Sequence, residues 1–317
     1  MAAIDKEYFW DYTDDQKLDI YNEISQQFKI DPKAAEKDWW VCHVIHALFS
    51  LRCAEALTFK GGTSLSKAWG ITERFSEDVD VSFDKSFFGL SGDTRSARDR
   101  IRKLSRKYIH ETVWEELSAT IRVFGAEQCE TLYRSREDSD ADPTVLLVPY
   151  HSVLPAHPYI KETVKIEFSC RSPREPREMR TIVPFAAQLS PMVDFPETEV
   201  PTVTPVRTFL EKVFLLHEEF QKDHPRHRRM SRHLYDLWKM DQAGYADRAI
   251  ADTAFYASLV EHRPENLSIL PQGDLLPLWE ADYKSMQDQF IYGESPSFPE
   301  LLKSLEGIQS RLREMKI

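Results

Sequence analysis

The chain has 317 residues, 42% of them hydrophobic and 29% charged, and its 52 acidic side chains outweigh 41 Lys and Arg to give a formal net charge of −11. That length can bury a large core without disulfides or a structural metal, and the acidic balance excludes coating nucleic acid through bulk charge, so any polyanion must be held by local patches. Cys42, Cys53, Cys129 and Cys170 lack CxxC spacing, the acidic first thirty residues do not read as a signal peptide, and the apolar run Trp39 to Leu51 is too short and polar to span a bilayer; reduced thiols, a cytoplasmic location and no membrane partner are expected.

A helix is expected from about Lys33 to Leu57, where Val41, Val44, Ile45, Leu48, Phe49 and Leu51 recur at near-helical intervals. Cys42, His43, His46 and Cys53 lie along this one rod, which cannot enclose a tetrahedral metal, so packing is their expected role. Phe59-Lys60-Gly61-Gly62 follows, and Thr63 or Ser64 can cap a further helix through Trp69 whose amides point back at the glycine turn. The period then changes to two. In Arg74 to Phe83, RFSEDVDVSF, one strand face carries Phe75, Val79, Val81 and Phe83, while Arg74, Ser76, Asp78, Asp80 and Ser82 share the other.

A basic helix is expected over Thr94 to Leu117 and a polar loop over Ser135 to Pro143. Two strands come next, Thr144 to Tyr150 and Thr163 to Cys170, the second projecting Lys165, Glu167 and Ser169 from its polar face. The proline-rich stretch 171–204 reads as mostly irregular connection. From Thr204-Pro205 the spacing of Phe209, Val213, Leu216 and Phe220 predicts a helix, Leu234, Leu237, Trp238 and Met240 predict a second, and more follow to Ile317. The expected class is α+β: a mixed sheet with flanking helices over 1–200, including an N-terminal helical segment, and a mainly helical lobe over 201–317 that completes the active site. Three basic stretches, Arg95 to Lys107, Arg171 to Arg180 and Arg226 to His233, are either solvated surface or a hold on RNA or nucleotide phosphates. His224, His227 and His233 stand among arginines, a setting that favours phosphate or solvent over a cation.

The chemistry concentrates at the glycines and the DxD. Two glycines let backbone approach phosphate closely, and two aspartates spaced two apart on a strand project side by side, about 6.5 to 7 Å apart at their α-carbons. Such carboxylates can share a magnesium or manganese ion that neutralises a triphosphate. Glu167, on its own alternating strand, is the candidate third metal ligand. Lys67 either reaches phosphate from the first helical turn or faces water; Arg74 either steadies a phosphate or pairs with Asp84 or another acid.

The strings KGGTSLSKAWG at Lys60 to Gly70 and RFSEDVDVSF at Arg74 to Phe83, with Glu211-Lys212 in TFLEKVFLL and Arg232 to Leu237 in RHLYDL, resemble the AbiEii/AbiGii-type toxin nucleotidyltransferases of the polymerase-β-like superfamily. Order and spacing agree over about residues 55 to 240. The resemblance implies a nucleotidyltransferase-type sheet, metal binding by Asp78 and Asp80, a nucleotide turn at Gly61 and Gly62 extending through Thr63 and Ser64, triphosphate contact by Lys212, and an essential Asp236. The residues alone agree on Lys212, a cation on a helix otherwise apolar at Phe209, Val213 and Leu216, with a snorkelling surface lysine as the alternative, while Asp236 is equally an ion-pair partner of Arg232 and Lys239 on one helix face. Ser76 resembles a family serine that can be modified, or it hydrogen-bonds within the strand environment. The implied activity is transfer of a nucleotide from an NTP to an RNA, with the tRNA 3′ end as acceptor, by a type IV toxin–antitoxin or phage-defence toxin with a cognate antitoxin. Transfer to a protein or small-molecule hydroxyl, or NTP binding without catalysis, are the alternatives.

Overall fold

The computed structural model describes residues 7–89, 94–122, 130–131, 143–170, 176–189, 193–195, 197–259 and 267–315. These fall in two units, one within Met1–Ala68 and Phe75–Val203, the other within Trp69–Arg74 and Thr204–Ile317. Cys129, most of the expected 135–143 loop and the first half of the basic stretch at 171–180 lie outside the described residues.

The first unit runs β1 (Glu7–Tyr8), α1 (Asp14–Phe28), α2 (Pro32–Phe49), β2 (Leu57–Lys60), α3 (Gly61–Lys67), β3 (Asp78–Phe83), α4 (Arg95–Tyr108), α5 (Trp114–Arg122), β4 (Glu130–Thr131), β5 (Thr144–Pro149), β6 (Thr163–Ser169), β7 (Arg177–Ile182), α6 (Phe185–Leu189), β8 (Val193–Asp194) and β9 (Thr198–Val203). Seven strands make one mixed sheet in the order β4-β5-β6-β3-β2-β9-β7, and β1 pairs with β8 apart from it. β3 lies antiparallel to β2 and parallel to β6.

Helix α2 begins where the sequence makes it begin. Asp31 accepts a hydrogen bond from the Lys33 amide at 2.7 Å, and Pro32 opens the first turn. It ends at Phe49, well short of the expected Leu57. Leu57, Thr58 and Phe59 are residue types suited to a pleated sheet, and as β2 they pair with β3 on one side and β9 on the other. α2 is buried almost all round, charged residues included. Burial of charge is tolerable here because each ion has partners. Lys33 meets Glu162 at 2.8 Å, Lys37 donates to the Lys161 carbonyl at 2.7 Å, and Asp38 pairs with Lys67 at 2.7 Å.

Other elements depart from expectation for local reasons. The strand expected from Arg74 starts only at Asp78, because residues 69–74 belong with the helical unit. The basic helix runs on past Leu117 to Arg122, through a wide π-type turn at Ile109–Val113. The stretch 171–204 is not mostly irregular: it contributes β7, α6 and β9, with Pro176 and Pro184 standing just before the first two of these rather than inside them.

The second unit is helical: α7 (Pro205–Phe220), α8 (Ser231–Gln242), α9 (Tyr245–Ala251), α10 (Thr253–Leu259), α11 (Leu275–Gln289) and α12 (Phe298–Glu314). α8 packs against α7, α11 and α12. Phe209, Val213 and Leu216 of α7, Leu234 and Leu237 of α8, Trp279 of α11 and Leu305 of α12 are fully buried and form its core. The 69–74 segment is stitched into it: the Glu73 carbonyl accepts from the Tyr292 amide at 3.0 Å, and Arg74 bridges to Ile291.

Candidate active site

Cross-strand register sets the geometry of the glycine bend. Lys60, the last residue of β2, faces Asp80 on β3, so Gly61 arrives beside the Asp80 side chain. Gly61 has φ +81°, and a Cβ there would lie 2.1 Å from Asp80 Oδ2. Only glycine satisfies both the backbone conformation and the approach of the carboxylate. The helix starts earlier than expected, so Gly61 and Gly62 form its first turn and Lys60 takes the cap position.

The hydroxyls expected to cap that helix or meet a nucleotide point inward instead. Thr63 Oγ1 donates to the Asp78 carbonyl at 2.5 Å and lies 2.9 Å from Ser76 Oγ, while Ser64 Oγ donates to the Gly61 carbonyl at 2.9 Å. Thr63 and Ser64 are buried; Gly61, Gly62, Ser76, Asp78 and Asp80 are all partly exposed. Thr63 therefore fastens the bend to the start of β3, Ser64 closes the bend on itself, and both aspartates are partly exposed. Val79, Val81 and Phe83 take the dry face as expected.

On the neighbouring strand Lys165 stands opposite Asp78 and Glu167 opposite Asp80. Glu167 thus has the expected face, and the register sets it beside Asp80, yet it is ion-paired with Lys165. Among the described residues no three His, Cys, Asp or Glu side chains gather closely enough to hold a metal ion, so the three-acid clamp is not assembled. Sequence reasoning passed over Lys165, although the alternation of Thr163 to Ser169 put it on that face. Burial works against its ammonium, but the bonded Glu167 and the nearby Asp78 and Asp80 charges outweigh that and raise its pKa. A cation thus already stands among these carboxylates. The hard-oxygen pair Asp78 and Asp80 fits a divalent magnesium-like ion, which accepts few protein carboxylates and keeps waters. Lys37 is nearby in charge: burial lowers its pKa to about 8 although Glu77 and Asp78 favour its charged form.

Two expected phosphate contacts are engaged elsewhere. Lys67 lies against α2, bound to Asp38 at 2.7 Å and 4.2 Å above the Phe185 ring, and neither faces water nor heads the glycine bend. Arg74 pairs not with Asp84 but, within the helical unit, with Asp236, Nε to Oδ1 at 2.6 Å and a second nitrogen to Oδ2 at 2.8 Å. Lys212 Nζ reaches Asp236 Oδ2 at 2.8 Å. Arg74, Lys212 and Asp236 are all buried, so Lys212 is no snorkelling surface residue. Asp236 is held by Arg74 and Lys212 rather than by a helix-face ladder, and Lys239 goes to Glu73. Burial alone would raise the Asp236 pKa; the two cations overcome it and hold the carboxyl well below its ordinary range. Burial pulls the Lys212 ammonium below the usual lysine range, and burial with the Lys212 and Arg232 charges does the same to His233.

By class the chain is a nucleotidyltransferase: a family model described as "Nucleotidyl transferase AbiEii toxin, Type IV TA system" matches residues 47–304. It belongs to that AbiEii toxin family. Among solved structures it is similar to MenT4, a nucleotidyltransferase toxin from Mycobacterium tuberculosis H37Rv, with 17% identity and a TM-score of 0.47 over 94% of this chain and 99% of that one. No curated protein matches the sequence. No helix among the described residues is long and apolar enough to cross a membrane.

Proposed function

We propose that the protein transfers a nucleotidyl group from an NTP to the 3′ hydroxyl of an RNA, with tRNA as the acceptor, and acts in the cytoplasm as a toxin countered by a cognate antitoxin. The observation that carries this reading is the Asp80 carboxylate lying against the bare Gly61 backbone, with Asp78 two residues away on the same partly exposed strand face. In the reaction an acceptor oxygen bonds to the α-phosphorus, the bond to pyrophosphate breaks with its electron pair leaving on pyrophosphate, and the hydroxyl proton passes to water.

Asp78 and Asp80 would hold a magnesium or manganese ion, which supplies charge neutralisation for the triphosphate and activation of the attacking oxygen. The chain's own groups position the rest. Gly61 lets the Asp80 carboxylate lie against the bend, and Thr63 fixes the bend by tying it to the Asp78 carbonyl and Ser76. Glu167 would add a third oxygen once Lys165 exchanges partners. Lys212 is assigned to the triphosphate on family resemblance, with Asp236 and Arg74 as the groups that orient its ammonium. Modification of Ser76 would place a bulky charge beside Thr63 and so disturb the bend.

Purified protein incubated with magnesium, each α-labelled NTP in turn, total RNA and a protein extract tests the reading. Label should enter RNA and disappear in Asp78→Ala and Asp80→Ala. Label on protein with none on RNA, or RNA label that survives both substitutions, would refute it.

A further inference from the structure

We propose that the exposed face of α4 grips the sugar-phosphate backbone of a folded RNA acceptor, away from the end that reacts. This rests on the RNA-acceptor reading above and adds where the body of that acceptor is held. α4 carries seven Arg and Lys against one aspartate, Asp99, in a chain whose net charge is −11.

Three arginines of the other basic stretches serve the fold. Arg177 donates to the Leu57 carbonyl at 3.2 Å and Arg180 to the Ala68 carbonyl at 3.1 Å, while Arg226 pairs with Glu219 at 2.6 Å. On α4 the situation differs. Arg102 meets Asp99 at 3.2 Å, but among the described residues Arg95, Arg98, Arg100, Lys103 and Lys107 are exposed and make no ion pair. Arg100, Lys103 and Lys107, at i, i+3 and i+7, lie along one line of the helix. The opposite side is anchored by buried Ile101 and Ser105, so the fold does not need these charges for packing. Their mutual repulsion opposes folding and is relieved by a polyanion. Leu104 is 40% exposed and Trp114, two turns beyond Lys107, is 38% exposed, giving apolar surface on which sugars and bases can rest.

Position identifies the kind of ligand. Tyr108, the last residue of α4, packs on Phe83 with ring centroids 6.0 Å apart, at the end of β3 remote from Asp78. Five strand rises carry the chain from Asp78 to Phe83, which is roughly 17 Å. Phe83 is on the face of β3 opposite Asp78 and Asp80, so α4 stands apart from a triphosphate at the aspartates both along the strand and across the sheet. An acceptor touching both places must extend over at least about 17 Å, the length of roughly five phosphates along one duplex strand at about 3.4 Å each. A nucleotide, a small molecule or a protein hydroxyl has no such row of phosphates.

The test uses the full chain carrying Arg100→Gln, Lys103→Gln and Lys107→Gln, without NTP or metal, and a folded RNA hairpin longer than one helical turn. Wild type should bind with a steep salt dependence. The triple variant should bind at least about tenfold more weakly, with the log–log salt slope reduced by roughly 2 to 3, since each lost duplex phosphate contact contributes about 0.9. In transfer assays its KM for the hairpin should rise, while KM for NTP, kcat and melting temperature stay at wild-type values. Equal affinity and slope for variant and wild type would overturn the proposal, as would failure of the wild type to bind the hairpin. Binding that depends on α4 in a protein that transfers nothing to RNA would leave this inference standing and remove the transfer reading instead.

Discussion

At the scale of single residues, the site turns on a contact that only glycine permits. Gly61→Ala adds a methyl group 2.1 Å from Asp80 Oδ2 at a positive φ. Displacement of the carboxylate should lower nucleotidyl transfer by at least about a hundredfold, on the scale of losing one preorganised catalytic group. Gly70→Ala supplies the control: its φ is +61° but no atom lies within 4 Å of the added Cβ, so it carries backbone strain of about 1–2 kcal/mol without touching Asp80. Equal rates for the two variants would show the contact to be irrelevant. Lys165 leads to a second expectation. Replacing it with Met removes the cation paired with Glu167, and direct titration with Mn2+ should show tighter binding, a gain lost when Glu167→Gln is added. Unchanged Mn2+ affinity in Lys165→Met would separate that lysine from the metal.

Asp236 requires a different kind of care. It is fully buried between Arg74 and Lys212, and removing one partner of a buried ionic cluster costs about 3–5 kcal/mol. Asp236→Asn should therefore lower the urea midpoint sharply, and its loss of activity would not by itself show catalysis. Lys212→Met leaves Asp236 paired with Arg74 and should unfold nearer to wild type. If transfer disappears in Lys212→Met while stability is largely kept, the lysine acts on the reaction; if stability falls as far as in Asp236→Asn, its role is structural.

At the scale of elements, α2 makes stability depend on pH. His43 is fully buried, stacked on Trp39 at 3.6 Å, and burial lowers its pKa to about 3. Between its ordinary value near 6.5 and about 3 the unfolded chain binds a proton that the folded chain does not. Stability is therefore present above pH 6.5 and falls with acidification by about 1.4 kcal/mol per pH unit from this group. His43→Phe should flatten that limb of the stability curve measured by urea unfolding; an unaltered slope would mean that His43 is charged or solvated in the fold. Lys37 acts in the same direction over a more alkaline window. Its pKa is lowered to about 8, so it holds the fold back below that pH and ceases to do so as pH rises toward the ordinary lysine value.

The same elements show what sequence can and cannot reveal. β3 was legible because Val79, Val81 and Phe83 alternate with Asp78 and Asp80, a pattern set by the strand period itself. Glu167 was legible in face for the same reason, but its ion pair with Lys165 was not, since alternation names neighbours on a face without choosing partners among them. The end of α2 was missed because apolar spacing continues through Leu51, and the turn there depends on β2 finding two sheet partners far along the chain. Arg74 was misplaced for a related reason. Period-two spacing extends back to Phe75, yet Arg74 is held by Asp236, 162 residues away in sequence, a tertiary partner that no local pattern reports.

At the scale of the whole molecule, the family assignment and the geometry meet at one place. The chain is an AbiEii-family nucleotidyltransferase over residues 47–304, and the motifs that signalled the family also build the glycine bend and the aspartate pair. Net charge misleads on its own: a total of −11 coexists with a helix bearing seven cations, so polyanion binding has to be sought in local surfaces. The most direct test of the account is the rate of label transfer from an α-labelled NTP to RNA by Asp78→Asn, measured beside its melting temperature. The account predicts a fall of at least about a hundredfold with a near-native melting temperature, because Asp78 is a partly exposed side chain that the proposed mechanism assigns to the metal and that packing does not require. Transfer at the wild-type rate by folded Asp78→Asn protein would contradict it.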